Sequence, residues 1–387
     1  MPEILVAPNS FKECADSVTI ARYFKEALES EFTVRYPGQN LVIQSVPISD
    51  GGDGFLNVCI EKFDLRILDY KIRTPYSNDL MNVRCGYSYK LRTVFVESAD
   101  VLGLKIIPSG MRHPLSLSSQ GMGDLINLLK QDCATQRLGI DKIVVGIGGT
   151  GTSDFGIGMC AALGMKLIDK NGEELFPVPA NFHLAERVYW QKPVLPFNID
   201  LILDVDIPLL GPTGASMVFA PQKGATFEEV LLLEKGITRI IELTVPGSAE
   251  NVHNLYGAGG GLSGGFYHFL GAKYRFAEEF MRQDLGIVKD RIKPDIIITG
   301  EGSFDSQSLH KKGVYLLLHE FLGTGIPVFI CAGKIKDIPD QFKRPDLHFI
   351  EISGYFSTDQ ECIQNIRSGI KKTVTDILKI YFAKEIQ

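Results

Sequence analysis

The chain has 387 residues, 45% hydrophobic and 22% charged, with a formal net charge of −6. That length exceeds what one hydrophobic core usually serves, so two domains are expected, and the ordinary apolar and charged fractions exclude bulk disorder. A net negative charge without a dense Lys/Arg run argues against nucleic acid as the main partner.

Seven cysteines, odd in number and widely spread, make no disulfide framework and suit a reducing compartment. The amino terminus lacks the basic region and apolar stretch of a signal peptide. No apolar run reaches the roughly 18 residues of a membrane helix. A cytoplasmic protein that avoids the membrane, either monomer or homodimer, is expected.

In chain order, Ile4–Ala7 reads as a wholly apolar strand. Ser17–Leu28 follows as a helix with its stripe at Val18, Ala21, Phe24 and Leu28, capped by Asp16 or Ser17. Leu41–Ile48 is a strand and Phe55–Phe63 a helix. This alternation argues for a parallel sheet covered by helices. Residues 65–98 change in texture: short alternating stretches at Ile67–Tyr70, Met81–Tyr87 and Arg92–Val96 predict an antiparallel or mixed piece.

Helices are expected over Ser119–Leu138 and Phe155–Leu163, with a strand Lys142–Gly146 between them. Leu201–Val205 and Ser216–Phe219 read as further strands. After Phe280 the first pattern returns: strand Asp295–Ile298, helix Ser308–Phe321, strands Pro327–Cys331 and His348–Ile352, and one long helix from Thr358 to Phe382. The termini resemble each other more than the middle. The expected fold is therefore an α/β, Rossmann-like parallel-sheet domain from residues 1–65 and 290–387. A mixed α/β domain, 66–289, is inserted in it.

Chemistry is expected in glycine- and acid-rich loops at strand ends. Ser49–Gly54 offers Gly51 and Gly52 for close backbone approach and Asp50 and Asp53 as carboxylates, or simply caps the next helix. Gly146–Gly151 formally fits G-x-G-x-x-G, with Asp169 near the spacing of a ribose-binding acid. Free N–H groups there, with the hydroxyls of Thr150, Thr152 and Ser153 and with Asp154, equally suit phosphate or a hydroxy acid, and a structural turn is the plain alternative.

Asp204 and Asp206 at i and i+2 would share one face of a strand, where a buried carboxylate needs a partner or a function, or else the strand has ended by Asp204 and leaves them as solvated acids. Lys223 in Pro221–Gly224 either counters phosphate charge or caps a turn. Gly257–Gly265, including Gly259, Gly260 and Gly261, is either an anion nest or a close helix contact. Glu301 and Asp305, running off a strand, are candidate metal or hydroxyl ligands, or helix caps. No Walker A, H-E-x-x-H or G-x-S-x-G motif is present, and the seven histidines are scattered.

Taken in order, the loops resemble the two-domain glycerate kinase family, which is unrelated to the P-loop kinases. The resemblance rests on Ala7-Pro-Asn-Ser-Phe-Lys12, Pro47-Ile-Ser-Asp-Gly-Gly-Asp-Gly54, Gly148-Gly-Thr-Gly-Thr-Ser-Asp154, Asp204-Val-Asp-Ile-Pro-Leu209, Gly211-Pro-Thr-Gly-Ala215 with Pro221-Gln-Lys-Gly-Ala225, and Ile298-Thr-Gly-Glu-Gly-Ser-Phe-Asp305 with Ser308-Leu-His310. It implies ATP and Mg²⁺ as cofactors, an active site in the cleft between the two domains, and transfer of the γ-phosphoryl group to a hydroxyl of glycerate, the 2-hydroxyl being favoured.

On that reading Asp204 is the base, Lys12 neutralises the moving phosphoryl oxygens, and Asp50, Glu301 and Asp305 hold the metal. Ser10, Gly51, Gly52, Gly148, Gly149, Thr150, Ser153, Asp154, Asp206, Lys223 and Gly259–Gly261 bind substrate or phosphate. The sequence departs from the family pattern at Asn9 (an acid), Ser153 and Ile207 (asparagines), Ser303 (arginine) and Lys311 (glycine). Ser153 still donates one bond, Ile207 none, and Ser303 cannot replace a bidentate guanidinium. These departures leave two alternatives: a catalytically weak relative that senses nucleotide or a small hydroxy acid, or a kinase for another small hydroxy acid.

Overall fold

In the computed structural model, which describes residues 1–11, 14–244, 255–305, 313–336 and 338–382, the chain divides into two units. One comprises residues 1–50 and 277–387, the other residues 51–276.

The first unit is a five-stranded, wholly parallel sheet. Its strands are β1 (Glu3–Val6), β2 (Val42–Ser45), β12 (Ile296–Phe304), β13 (Val328–Ile335) and β14 (Leu347–Glu351), in the order β14-β13-β12-β1-β2. Ile4, Leu5, Val6, Ile296, Ile297 and Ile298 are all buried, as a central parallel strand covered on both faces requires.

The helix Ser17–Arg35 opens with the Asp16 carboxylate accepting from the Thr19 N–H at 2.7 Å. It runs beyond Leu28 because Phe32 continues the stripe of Ile20, Phe24 and Leu28. That stripe packs on the carboxyl-terminal helix Ile366–Phe382, with the Phe32 and Phe382 rings 5.8 Å apart. The long helix expected from Thr358 is two helices, Asp359–Gln364 and Ile366–Phe382. Asn365 leaves helical geometry at φ −118° and ψ 27°, and periodicity alone does not reveal such a break.

The second unit holds a six-stranded mixed sheet: β3 (Arg66–Arg73), β4 (Leu80–Ser88), β5 (Thr93–Glu97), β6 (Lys142–Ile147), β10 (Asn198–Leu203) and β11 (Lys273–Phe276). Its order is β11-β10-β6-β5-β4-β3; the β3–β4–β5 meander is antiparallel and the remaining pairs are parallel. A small antiparallel sheet, β7 (Lys166–Ile168), β8 (Glu174–Leu175) and β9 (Arg187–Tyr189), lies beside it in sequence. The fold class is thus the expected one, a parallel α/β unit made from both termini plus a mixed α/β unit.

Three local expectations are corrected. Ser216–Phe219 is not a strand but part of the helix Ala215–Phe219. Gly214 and Pro221 leave room for a single turn, and so short an apolar run fits either state. The segment after Ile298 is not a loop: β12 continues to Phe304, paired with β13 through Glu301–Ala332 and Ser303–Lys334. Strand β10 stops at Leu203, so Asp204 and Asp206 lie in the following turn rather than on one strand face.

Candidate active site

In a parallel sheet, ligands bind beyond the carboxyl ends of the strands, at the point where chain order reverses direction. In the first unit that point lies between β1 and β12: from β1 the chain moves to one edge, and later it resumes from β12 towards the other. Two backbone bonds hold these ends together, Ala7 N–H to Ile298 O and Asn9 N–H to Gly300 O, both 2.8 Å.

Asn9 is buried, and its side-chain Oδ1 accepts from the Ser10 N–H at 2.8 Å. Ser10 and Asp50 follow β1 and β2 in the chain, Glu301 lies within β12, and Asp305 follows its last residue. Asp305 approaches Lys336 Nζ at 4.0 Å. Lys12 and Lys311 fall outside the described residues.

The described residues contain no group of three or more His, Cys, Asp or Glu side chains able to hold a metal. Mg²⁺ characteristically takes one or two carboxylates and completes its shell with water and substrate phosphate oxygens. Carboxylate oxygens such as those of Asp50, Glu301 and Asp305 are hard donors of the type Mg²⁺ takes.

In the second unit the parallel strands β5, β6 and β10 end in Glu97–Ser98, Gly148–Ser153 and Asp204–Asp206. Close backbone approach explains several of the glycines. A Cβ on Gly51, at φ +94°, would sit 2.7 Å from Ile202 O, and one on Gly148 would sit 2.6 Å from Gly52 Cα. The loop 51–54 is thereby laid across the ends of β6 and β10.

Ser98 fixes the next loop, its Oγ accepting from Gly148 N and donating to Gly148 O, both at 3.0 Å. Asp53 pairs with Lys105. Glu97 accepts from the Gly54 and Leu56 N–H groups at 2.9 and 3.0 Å, so one carboxylate holds the start of the helix Phe55–Phe63. Burial pushes that carboxyl up to about 7 against these two bonds, and the charges of Asp100 and Asp53 add to the rise.

The loop that starts at Gly148 then meets two others. Lys223 Nζ donates to Thr152 O at 2.6 Å and lies 3.4 Å from Ser153 Oγ. Gly259, Gly260 and Gly261 all have positive φ, and a Cβ on Gly260 would lie 2.0 Å from Thr152 O and 2.9 Å from Lys223 Nζ. Gly264 and Gly265 instead admit Phe155, so the glycine run divides between a tight turn at the site and close packing behind it.

Burial pulls the Lys223 ammonium down to about 8, partly opposed by Asp154. The hydroxyls of Thr150 and Thr152 are buried without a hydrogen-bond partner. Asp204 is half-buried and Asp206 exposed. Their turn leads to Ile207 O, which accepts from Gly257 N at 2.8 Å, so it borders the same glycine run.

The structure therefore gathers Gly148, Gly149, Thr150, Ser153, Lys223 and Gly259–Gly261 around one cluster of loops, with Gly51 and Gly52 packed beside β6. Asp154 has a different place. Fully buried, it accepts from Ser119 N and Oγ (both 2.7 Å), Gly156 N (3.2 Å) and Gly158 N (3.1 Å) and ties two helix starts together. Burial raises its carboxyl, and those four donors work against the rise. These bonds give the Asp154 carboxylate a part in holding the fold together.

Glu97, Ser98, Lys105 and Ser119 escaped the sequence reading. The first two follow an apolar strand as the other site loops do, and strand-end position was the signal available for them. Pairing Lys105 with Asp53, or Ser119 with Asp154, needed the fold.

The glycerate kinase family model matches residues 4–382. A glycerate 2-kinase of Escherichia coli (strain K12) is 32% identical over 340 residues, covering 87% of this chain and 86% of that protein. A glycerate kinase of Bacillus subtilis (strain 168) is 30% identical over 342 residues, 86% and 85% of the two chains. A crystal structure of a protein assigned as glycerate kinase 2 from Salmonella typhimurium LT2 superposes with a TM-score of 0.77 at 28% identity, over 100% of both chains.

Proposed function

Because the chain belongs to the glycerate kinase family, phosphotransferases with an alcohol group as acceptor, we propose that it transfers the γ-phosphoryl group of ATP to glycerate, at the 2-hydroxyl. The supporting observation is the loop cluster of the second unit, where backbone glycines, hydroxyls and one buried lysine gather at the carboxyl ends of parallel strands. Phosphoryl transfer asks little covalent chemistry of a protein: it needs alignment of an acceptor oxygen and neutralisation of charge on the moving group. Such a cluster supplies donors for anionic oxygens without reorganising.

In this reading Asp204 orients the acceptor hydroxyl and takes its proton, with Asp206 beside it in the same turn. The loops at Gly148–Ser153 and Gly259–Gly261 present N–H and hydroxyl groups to the anionic substrates. Ser10 and Lys12, beyond β1, serve the nucleotide phosphates, Lys12 countering the charge that spreads over the transferred group. Mg²⁺, held by Asp50 with Glu301 or Asp305, would neutralise phosphate charge. The seven cysteines are free thiols, as suits a protein of the cytosol. No helix among the described residues is long and apolar enough to cross a membrane.

The test is ATP-dependent phosphorylation of D-glycerate, with NMR of the product to identify the hydroxyl, in wild type and Asp204→Asn. Loss of a general base costs roughly 10²–10⁴-fold in kcat. Undiminished turnover in Asp204→Asn removes Asp204 as base. Tight binding of ATP or glycerate with no product from folded wild type removes the kinase reading.

A further inference from the structure

We propose that Lys223, with the Thr150 and Thr152 hydroxyls, is the subsite that binds the carboxylate of the hydroxy-acid substrate and sets selectivity for acids over neutral polyols. The proposal rests on the reading above that the acceptor is a small hydroxy acid.

Lys223 is only 9% exposed. Among the described residues its Nζ makes no ion pair and donates to a carbonyl oxygen at 2.6 Å and a serine hydroxyl at 3.4 Å. An ammonium offers three donors, so at least one is unspent. Asp154, the acid whose charge reaches it, is already saturated by four donors from Ser119, Gly156 and Gly158. A buried cation without a counter-ion is costly, and a buried hydroxyl without a partner adds to that cost. The Thr152 carbonyl and Lys223 Nζ meet at Gly260, and Thr150 Cγ2 would lie 3.6 Å from a Cβ on the adjacent Gly259; such groups call for one anionic, multiply accepting ligand.

Charge decides which anion. A carboxylate brings one negative charge and two acceptor oxygens, which balance one ammonium and two hydroxyls. A nucleotide phosphate brings more charge and would leave an excess buried near Asp154. Gly260 brings backbone against the lysine: a Cβ there would sit 2.0 Å from Thr152 O and 2.9 Å from Nζ. Burial that lowers the lysine to about 8 adds a pH signature, because the neutral amine no longer attracts the acid.

The experiment uses the full chain, wild type, Lys223→Met and Thr152→Val. Methionine keeps much of the lysine's length without its charge. Expected for Lys223→Met is a rise of 100-fold or more, roughly 3 kcal/mol or more, in KM for glycerate, with KM for ATP within about threefold. Thr152→Val should raise KM for glycerate about 3–10-fold. Lys223→Met should also lose preference for glycerate over glyceramide.

Independently of turnover, glycerate alone should raise the Tm of wild type at pH 7 and do so less at pH 9.5, and should not shift Lys223→Met. A rise in KM for ATP in place of glycerate assigns the lysine to nucleotide phosphate and overturns the proposal. So does an unchanged glycerate-induced Tm shift in Lys223→Met. If Lys223→Met does not fold, Thr152→Val decides: unaltered KM for glycerate overturns the subsite. A glycerate-dependent Tm shift that follows this pattern in a protein without kinase activity upholds the subsite while refuting the proposed reaction.

Discussion

Replacing Glu97 by Gln should convert a pH-dependent stability into a nearly pH-independent one at that site. The carboxyl is buried at the end of β5 and rises from an ordinary 4.5 to about 7. Between those values the folded chain keeps a proton that the unfolded chain has released, so this group makes stability fall as pH rises through the window. The whole span corresponds to about 3 kcal/mol. The facing charges are Asp53, paired with Lys105, and Asp100, which lies 3.8 Å from Arg84.

Glutamine has no charge to desolvate but offers one carbonyl oxygen where the carboxylate had two. One of the bonds from Gly54 and Leu56 is therefore lost, at about 1–3 kcal/mol. Protonated glutamate has much the same limitation. Wild type and Glu97→Gln should thus be close in stability near pH 5, and the variant should gain on wild type by about 2–3 kcal/mol by pH 8. Urea unfolding of both proteins across that range measures the difference directly, and titrations common to both cancel. Two curves that stay parallel from pH 5 to pH 8 would refute the argument that burial, not ion pairing, governs this carboxyl.

Asp154→Ala strands four donors in a dry interior and should cost more than about 3 kcal/mol, read as a lowered urea midpoint. Gly260→Ala combines a positive φ with a methyl 2.0 Å from Thr152 O; circular dichroism melting should show a loss of at least ~2 kcal/mol. Asp16→Ala removes the cap bond to Thr19 and should cost about 1 kcal/mol with kcat unchanged.

Much of the architecture was legible in the residues. The wholly apolar Ile4–Ala7 and the run Ile143–Gly146 after Lys142 became buried parallel strand, and the alternation in residues 65–98 became the β3–β4–β5 meander. The Asp16 cap follows from local chemistry alone, because a carboxylate three residues from an open N–H needs no distant partner. Glycine clusters at strand ends also marked the loops that surround Lys223.

Other features depended on contacts between residues far apart in the chain. The extension of β12 through Glu301 and Ser303 exists because β13 supplies a ladder for it, and nothing within that segment announces it. Asp204 left the strand because β10 stops at Leu203, which turned an expected pair on one face into a turn. Asp154 and Glu97 exchanged prominence for the same reason. A carboxylate's role depends on which donors and charges surround it, and those came from Ser119, Gly54 and Leu56, 35 to 43 residues away. Periodicity and local propensity set the elements, whereas burial and long-range pairing assigned each acid its task.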